Sequence, residues 1–272
     1  NGEAYYLQGI LTNAGTIELA SGNLQLLGSC NGGGQGQLIN LPGAMVDLAA
    51  NVSILNYCGS EVLVNEGTVE KTGGTGTSAI SPILRNSGTL NAQTGTISLN
   101  GSYTFTSGTL AIGISGATNF GMIHFASSAP LSGLGLDVNL ENGFLPAVSN
   151  SFAIVTYSSE SGLFTVTNLP SNVVWQTNYG LTAFTLTALG VRPVLMPYLV
   201  TNGASNQPPE FLLQFTGSTN SLYTVLATTN LAVPFSNWAI LGNASLLSNN
   251  LYQFIDPQST NLPARFYILR SP

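Results

Sequence analysis

The phrase NAGTIEL at Asn13–Leu19 recurs along the first part of the chain. It returns as NEGTVEK at Asn65–Lys71 and NSGTLNA at Asn86–Ala92, with NLPGAMVDL at Asn40–Leu48 as a looser, longer version and TSGTLAI at Thr106–Ile112 as a fifth. The glycines of these phrases, Gly15, Gly43, Gly67, Gly88 and Gly108, are separated by 28, 24, 21 and 20 residues. Two positions after each glycine stands Ile17, Met45, Val69, Leu90 or Leu110, apolar every time. Four positions before the first four glycines stand Leu11, Ile39, Leu63 and Leu84, also apolar. Eight positions after those glycines begin NLQLLGSC, NVSILNYC, TGTSAISP and TISLNGSY. Alternation of apolar and polar residues within these segments is the mark of a strand with one buried face.

Short strands separated by Asn and Gly corners at this period predict an all-β fold, a right-handed β-solenoid (β-helix) of about five coils. Asn and Gly tolerate left-handed backbone and so suit the corners. A β-sandwich whose hairpins look alike is the alternative. Past Gly108 the register loosens, with strands expected around Gly121–Phe125 and Gly135–Leu140. Four strand-like runs follow from Ser151 to Leu189, and Tyr157, Phe164, Trp175, Tyr179 and Phe184 supply larger side chains. They predict a β-rich cap, which a solenoid needs because its last coil otherwise leaves apolar surface and strand edges bare.

The expected organisation is therefore solenoid coils over 1–127, terminal coils and a β cap over 128–190, a proline-interrupted linker over 191–209, and a small β-sandwich over 210–272. In that last module Tyr223, Trp238, Phe254, Phe266 and Ile268 read as anchors.

Charged residues make up only 6% of the chain, so its surface must be built largely from Asn, Ser, Thr, Gln and Gly. Five Lys and Arg against eleven Asp and Glu cannot assemble the basic footprint that binds phosphates, which excludes nucleic acid as a partner. They also cannot form a polybasic patch for anionic lipid. No apolar run reaches the length of a membrane helix, about 20 residues. Asn1-Gly2-Glu3 has neither the basic start nor the apolar run of a signal peptide.

Cys30 and Cys58 are the two cysteines, each fifteen residues after a repeat glycine. Equivalent positions on adjacent coils lie about 4.8 Å apart, inside the Cα separation of roughly 4.4–6.8 Å that a disulfide uses. A disulfide is the leading expectation, with stacked interior thiols as the alternative. A metal or redox site is disfavoured, because no CxxC spacing or third ligand accompanies the pair.

No other constellation points to catalysis. His124, the one histidine, sits in an apolar strand, and no GxSxG elbow is present. Glu18, Asp47 and Glu70 follow their repeat glycines by three or four residues, and with Glu61 and Glu66 they would place carboxylates on one side of the coils. Alternation with apolar positions marks them as solvent-facing strand residues rather than an acid pair. No calcium-loop run occurs. Thr75, Thr77, Thr94 and Thr96 form a threonine ladder only about two coils long. Trp175 and Trp238 are candidate glycan-stacking residues, more simply read as core. No cofactor is expected.

The stretch NEGTVEKTGGTGTSAISPILRNSGTLNAQTGTISLNG, together with SFAIVTYSSESGLFTVTNLP, resembles bacterial surface proteins with autotransporter-associated β-strand repeats, of planctomycete and verrucomicrobial type. FLLQFTGSTNSLYTVLATTNL and ARFYILRSP are similar to the small C-terminal β module of such proteins. The resemblance implies an extracellular or cell-surface location, a stalk, adhesin or matrix role, and no transferable catalytic residues. The expectation is a non-enzymatic structural or adhesive protein, with a second copy or other surface and matrix proteins as partners. The alternative is a carbohydrate-binding module with polysaccharide as partner, and behind it a polysaccharide-active β-helix enzyme.

Overall fold

In the computed structural model, residues 4–28, 30, 36–200, 210–218, 221–248, 250–262 and 264–271 are described. The chain divides into two compact units. One comprises Asn1–Phe144, Asn150–Pro170 and Trp175–Thr187, and the other Leu145–Ser149, Ser171–Val174 and Ala188–Pro272.

The first unit is built from strands that come in successive sets of three. The first five sets are β1 (Ala4–Gln8), β2 (Ile10–Asn13) and β3 (Thr16–Glu18); β4 (Asn23–Leu27), β5 (Gln37–Asn40) and β6 (Met45–Asp47); β7 (Ile54–Asn56), β8 (Val62–Asn65) and β9 (Thr68–Lys71); β10 (Thr77–Ile80), β11 (Ile83–Asn86) and β12 (Thr89–Ala92); and β13 (Gly95–Leu99), β14 (Tyr103–Phe105) and β15 (Thr109–Ile114). Two more sets follow: β16 (Gly121–Phe125), β17 (Ser128–Pro130) and β18 (Gly135–Leu140), then β19 (Ser151–Thr156), β20 (Ser159–Ser161) and β21 (Val166–Asn168). The first strands of all sets form one sheet, β1-β4-β7-β10-β13-β16-β19, extended by β23 (Ala183–Val191) and β22 (Val173–Tyr179). The third strands form a second sheet, β3 to β21 in steps of three, and the middle strands a third from β2 to β14. Pairing between successive sets is parallel throughout. This is the strand order of a β-helix, in which the chain is led past the same sheets again and again.

Side chains from all three sheets meet in one core. Leu24, Ile54, Ile80 and Leu99 from the first strands, Leu38, Leu63 and Leu84 from the middle strands, and Val46, Val69, Leu90 and Leu110 from the third strands are buried together. Each of these columns is one rung per set. The alternation seen in the sequence is thus real, but two register expectations are corrected. Ile17 pairs with Val46, not Met45, and Leu11 pairs with Leu38, not Ile39. A one-residue slip turns a strand inside out, and NLPGAMVDL carries one extra residue on each side of Gly43, which shifts the count in both directions.

Parallel sets continue beyond the first five, into the stretch expected to hold terminal coils. Leu110 pairs with Leu136, and Leu136 with Thr167, steps of 26 and 31 residues that no longer match the earlier spacing. Insertions at the corners lengthen the step without altering the strands, which is why equal offsets lose the pattern. The sequence then reverses: β23 pairs antiparallel with β19. Phe184 and Phe152 are fully buried at this end, with Phe164, Tyr179 and Trp175 packed around them.

The second unit contains two antiparallel sheets. One has the order β24 (Val194–Val200), β25 (Glu210–Thr216), β29 (Leu251–Asp256), β28 (Ser245–Ser248), and the other β27 (Ala239–Asn243), β26 (Thr224–Thr228), β30 (Phe266–Arg270). Leu213, Phe215 and Tyr252 from the first sheet and Val225 from the second, with Tyr223 just before β26, form a shared core. Tyr223 and Trp238 are buried as anchors, whereas Phe266 is 38% exposed. The expected linker is corrected in part: Val194–Val200 is a strand paired along its length with β25. Pro197 disguised it, yet β24 is an edge strand, where proline is tolerated. The remainder of that segment, 201–209, lies outside the described residues.

Candidate functional site

Reactive side chains come first, because their surroundings say whether they are available for chemistry. Cys30 and Cys58 form a disulfide with a Cα–Cα separation of 5.2 Å. The bond joins the corner after β4 to the corner after β7. Register here differs from the sequence match, since Leu24 pairs with Ile54 and not with Val52. Beside the bond, Glu61 is fully buried. Its Oε1 accepts the backbone N–H groups of Gly28 and Cys58 at 2.8 Å and of Tyr57 at 3.2 Å, and its Oε2 accepts that of Ser60 at 3.0 Å. Burial alone would raise the carboxyl pKa, but donation from Cys58, Gly28 and Tyr57 outweighs it and holds the group low. Glu61 therefore fastens a corner and does not share a face with the other acids.

Lys71 is likewise fully buried. Its Nζ donates to the carbonyls of Gly73 (2.7 Å) and Ala50 (3.0 Å) and to Asn51 Oδ1 (3.2 Å), so all three protons of an ammonium find acceptors. Burial pushes its pKa down, while nearby Asp47 opposes this.

The repeat asparagines form an internal ladder. Asn13 Nδ2 donates to Asn40 Oδ1 at 2.8 Å, Asn40 Nδ2 to Asn65 Oδ1 at 2.8 Å, and Asn65 Nδ2 to Asn86 Oδ1 at 2.7 Å. The second amide proton of each goes to a backbone carbonyl one rung on, at Met45, Thr68 and Thr89 respectively. All four asparagines are buried. Their sequence reading is corner geometry; the available signal is their position at the head of four of the five repeat phrases. The five repeat glycines each lie between the second and third strands of their set. Left-handed backbone is found at Gly43 and Gly108. Gly88 is needed for a different reason: a Cβ there would land on the Gly67 carbonyl of the rung below.

One outward face does gather polar groups. On the third-strand sheet Glu18, Asp47, Glu70 and Asn91 are successive neighbours, and Asp137 and Asn168 continue the column beyond Ala111. Rungs are about 4.8 Å apart. Burial, and then the Asp47 charge, raise the Glu70 pKa, while Asn91 donates to Glu70 Oε2 at 3.3 Å and opposes the shift. Thr72 Oγ1 donates to Asp47 Oδ1 at 2.7 Å, and Asn168 Nδ2 to Asp137 Oδ1 at 2.8 Å. A hollow of about 480 Å³ at the far end of this face is lined by Thr109, Asp137, Thr165 and Asn168. Glu66 lies elsewhere, beside a hollow it shares with Arg85.

The remaining candidates are dispersed. His124 Nδ1 meets Thr156 Oγ1 at 2.9 Å. Thr77 and Thr96 are neighbours, but the column passes next to Met122, so the threonine run stops. Trp175 is half-buried in the closing end, with Nε1 donating to the Pro170 carbonyl and its ring edge-on to Phe152.

Trp238, 6% exposed, walls a cavity of about 350 Å³ in the second unit, together with Phe211, Leu213, Phe266 and Tyr267. Arg265 stands at this cavity with Nη1 2.8 Å from Asp256 Oδ2, close enough for an ion pair though out of line for a hydrogen bond. Tyr267 donates to the same carboxylate at 2.9 Å, and burial followed by that carboxylate pushes its phenol pKa up. A mainly apolar, aromatic-walled cavity of this size suits a small ligand.

Among the described residues no three His, Cys, Asp or Glu side chains converge as a metal site would require, and no helix is long and apolar enough to cross a membrane. No family model matches the chain, and neither curated proteins nor solved structures provide a match.

Proposed function

We propose that the protein is a non-enzymatic structural or adhesive subunit, exposed outside the cell, whose first unit is a right-handed β-solenoid. A right-handed path is the general rule for parallel crossovers. The repeat phrases support kinship in architecture with bacterial surface proteins carrying autotransporter-associated β-strand repeats. The observation that carries the functional reading is the use made of polar and reactive side chains. Both cysteines, Glu61, Lys71 and four asparagines are spent on tying one rung to the next. A disulfide fits an oxidising compartment. Binding to immobilised matrix polymers and surface proteins, measured beside turnover assays on soluble polysaccharides, tests the reading: retention without turnover supports it, and sustained bond cleavage overturns it.

Carbohydrate binding is the second reading, favoured by the cavity that Trp238 walls. A glycan array with wild type and Leu231→Ser, a cavity residue 62% exposed and tolerant of change, tests that reading. Loss of a glycan signal in the variant places the sugar in this cavity; an array blank for both proteins removes the reading.

A further inference from the structure

The strand β16 reads GMIHF, and its alternation sorts five residues onto two faces. Gly121, Ile123 and Phe125 are buried, whereas Met122 and His124 stand half-buried on the outward face. Their neighbours one rung back are Thr96 and Ser98, and His124 lies beside Thr156 of β19 one rung on. A methionine thus interrupts a column that held Thr77 and Thr96, and it shares a face with the one histidine of the chain. Both side chains converge on one atom. Thr156 Oγ1 lies 2.9 Å from His124 Nδ1 and 3.7 Å from Met122 Sδ. The hydroxyl has a single proton; donated to Sδ, it leaves Oγ1 to accept from Nδ1. A thioether sulfur and an imidazole nitrogen are therefore gathered around one small polar group. The strand that carries them is fixed to the core through Ile123 and Phe125, both fully buried.

We propose that Met122 and His124 form a binding site for one soft monovalent cation of the copper(I) class, with Thr156 as a positioning residue. Thioether and imidazole donors suit copper(I) and offer little to magnesium or calcium, which take oxygen ligands. Among the described residues no three His, Cys, Asp or Glu gather, so a harder ion finds no carboxylate cage. The cysteines do not compete, because both are held in the disulfide. Ligation by histidine uses the neutral ring. The Nδ1 proton passes to Nε2, and Nδ1 and Sδ each give a lone pair to the cation. Thr156 Oγ1 is left as a weak third neighbour, and no net proton or electron is exchanged. The site belongs to the first unit, whereas the cavity walled by Trp238 belongs to the second, and it draws on neither functional reading above.

Silver(I) is the probe, because it shares the charge and softness of copper(I) and needs no reductant. The disulfide then stays closed and supplies no thiolate. Calorimetric titration with silver nitrate in chloride-free buffer is expected to give one bound silver per chain. Shifts of the Met122 methyl and the His124 ring are expected in NMR spectra of wild type over the same titration, a readout that stands should a variant fail to fold. Met122→Leu and His124→Gln are each expected to abolish the saturable event while circular dichroism stays that of wild type. Thr156→Val keeps the β-branch and is expected to weaken binding about tenfold or more at unchanged stoichiometry. Met45→Leu, on the third-strand sheet, is expected to change nothing. Absence of saturable silver binding, its survival in both Met122→Leu and His124→Gln, its loss in Met45→Leu, or displacement of silver by calcium would each overturn the proposal.

Discussion

The first and the last strands of the parallel sheets differ in how deeply their apolar side chains are buried. At the far end the chain turns back, lays β23 antiparallel on β19, and fills the opening with Phe152, Phe164, Tyr179 and Phe184. At the near end the last layer holds Tyr5 and Leu11 at 45% and 40% exposure. Burial in a stacked architecture therefore depends on having a neighbour on both sides, not on residue type.

The largest test of that contrast uses one column. Tyr5, Leu24, Ile54, Ile80, Leu99 and Phe125 are successive neighbours in the first sheet. Phe125 is fully buried, with ring contacts to Tyr103 and Phe105. Phe125→Ala is expected to cost about 3–5 kcal/mol in urea unfolding, and Tyr5→Ala under about 1 kcal/mol. Equal losses would mean that the first rung is as well packed as the sixth.

Next in size is the disulfide, which ties the corner after β4 to the corner after β7. Cys30→Ser with Cys58→Ser is expected to lower stability by about 2–4 kcal/mol, seen as a lower thermal midpoint that wild type reproduces in reductant. An unchanged midpoint would show that rung stacking alone holds this region.

The asparagine ladder sharpens the comparison in smaller steps. Asn65→Ala removes one donor and one acceptor from a buried chain of amides and strands Asn40 and Asn86, for an expected loss of about 2–3 kcal/mol. Asn13→Ala, at the end of the ladder, breaks a single inter-amide bond and is expected to cost about half as much. Reversal of that order in denaturant midpoints would refute a ladder whose strength depends on two-sided neighbours.

The smallest effect is electrostatic. Glu70 has its pKa raised in the folded protein, by burial first and the Asp47 charge second, from an ordinary 4.5. The folded state therefore binds the proton more tightly, so this group's stabilising contribution is present below pH 4.5 and is lost as pH rises through the higher folded value. Glu70→Gln is expected to stabilise the protein at neutral pH by about 0.5 kcal/mol, the scale of like charges on neighbouring strands. The gain should vanish in acid; a variant equal to wild type at neutral pH would show that Asp47 and Glu70 do not repel.

Legibility in the sequence followed the range of the interaction. Strands Gly121–Phe125 and Gly135–Leu140 were legible to the residue, because alternation and turn glycines act over a few neighbours. Cysteine pairing was legible from two residues and one spacing. The register of the sixth and seventh rungs was not, since corner insertions change spacing without touching the strand. Nor was β24, whose proline reads as a break until its place at a sheet edge is known. Of the candidate site, the stacking of Glu18, Asp47 and Glu70 could be counted from the glycines, but Glu61 could not be separated from them, because its place is set by four backbone N–H groups near the disulfide.

By itself the sequence determined that this chain forms short strands with glycine corners, one apolar face and little charge, since those properties are local. Tertiary structure decided which face each asparagine entered and which residues of adjacent rungs stand side by side. The physical reason is register: a shift of one residue exchanges inside for outside, and only the stacked neighbours select between them.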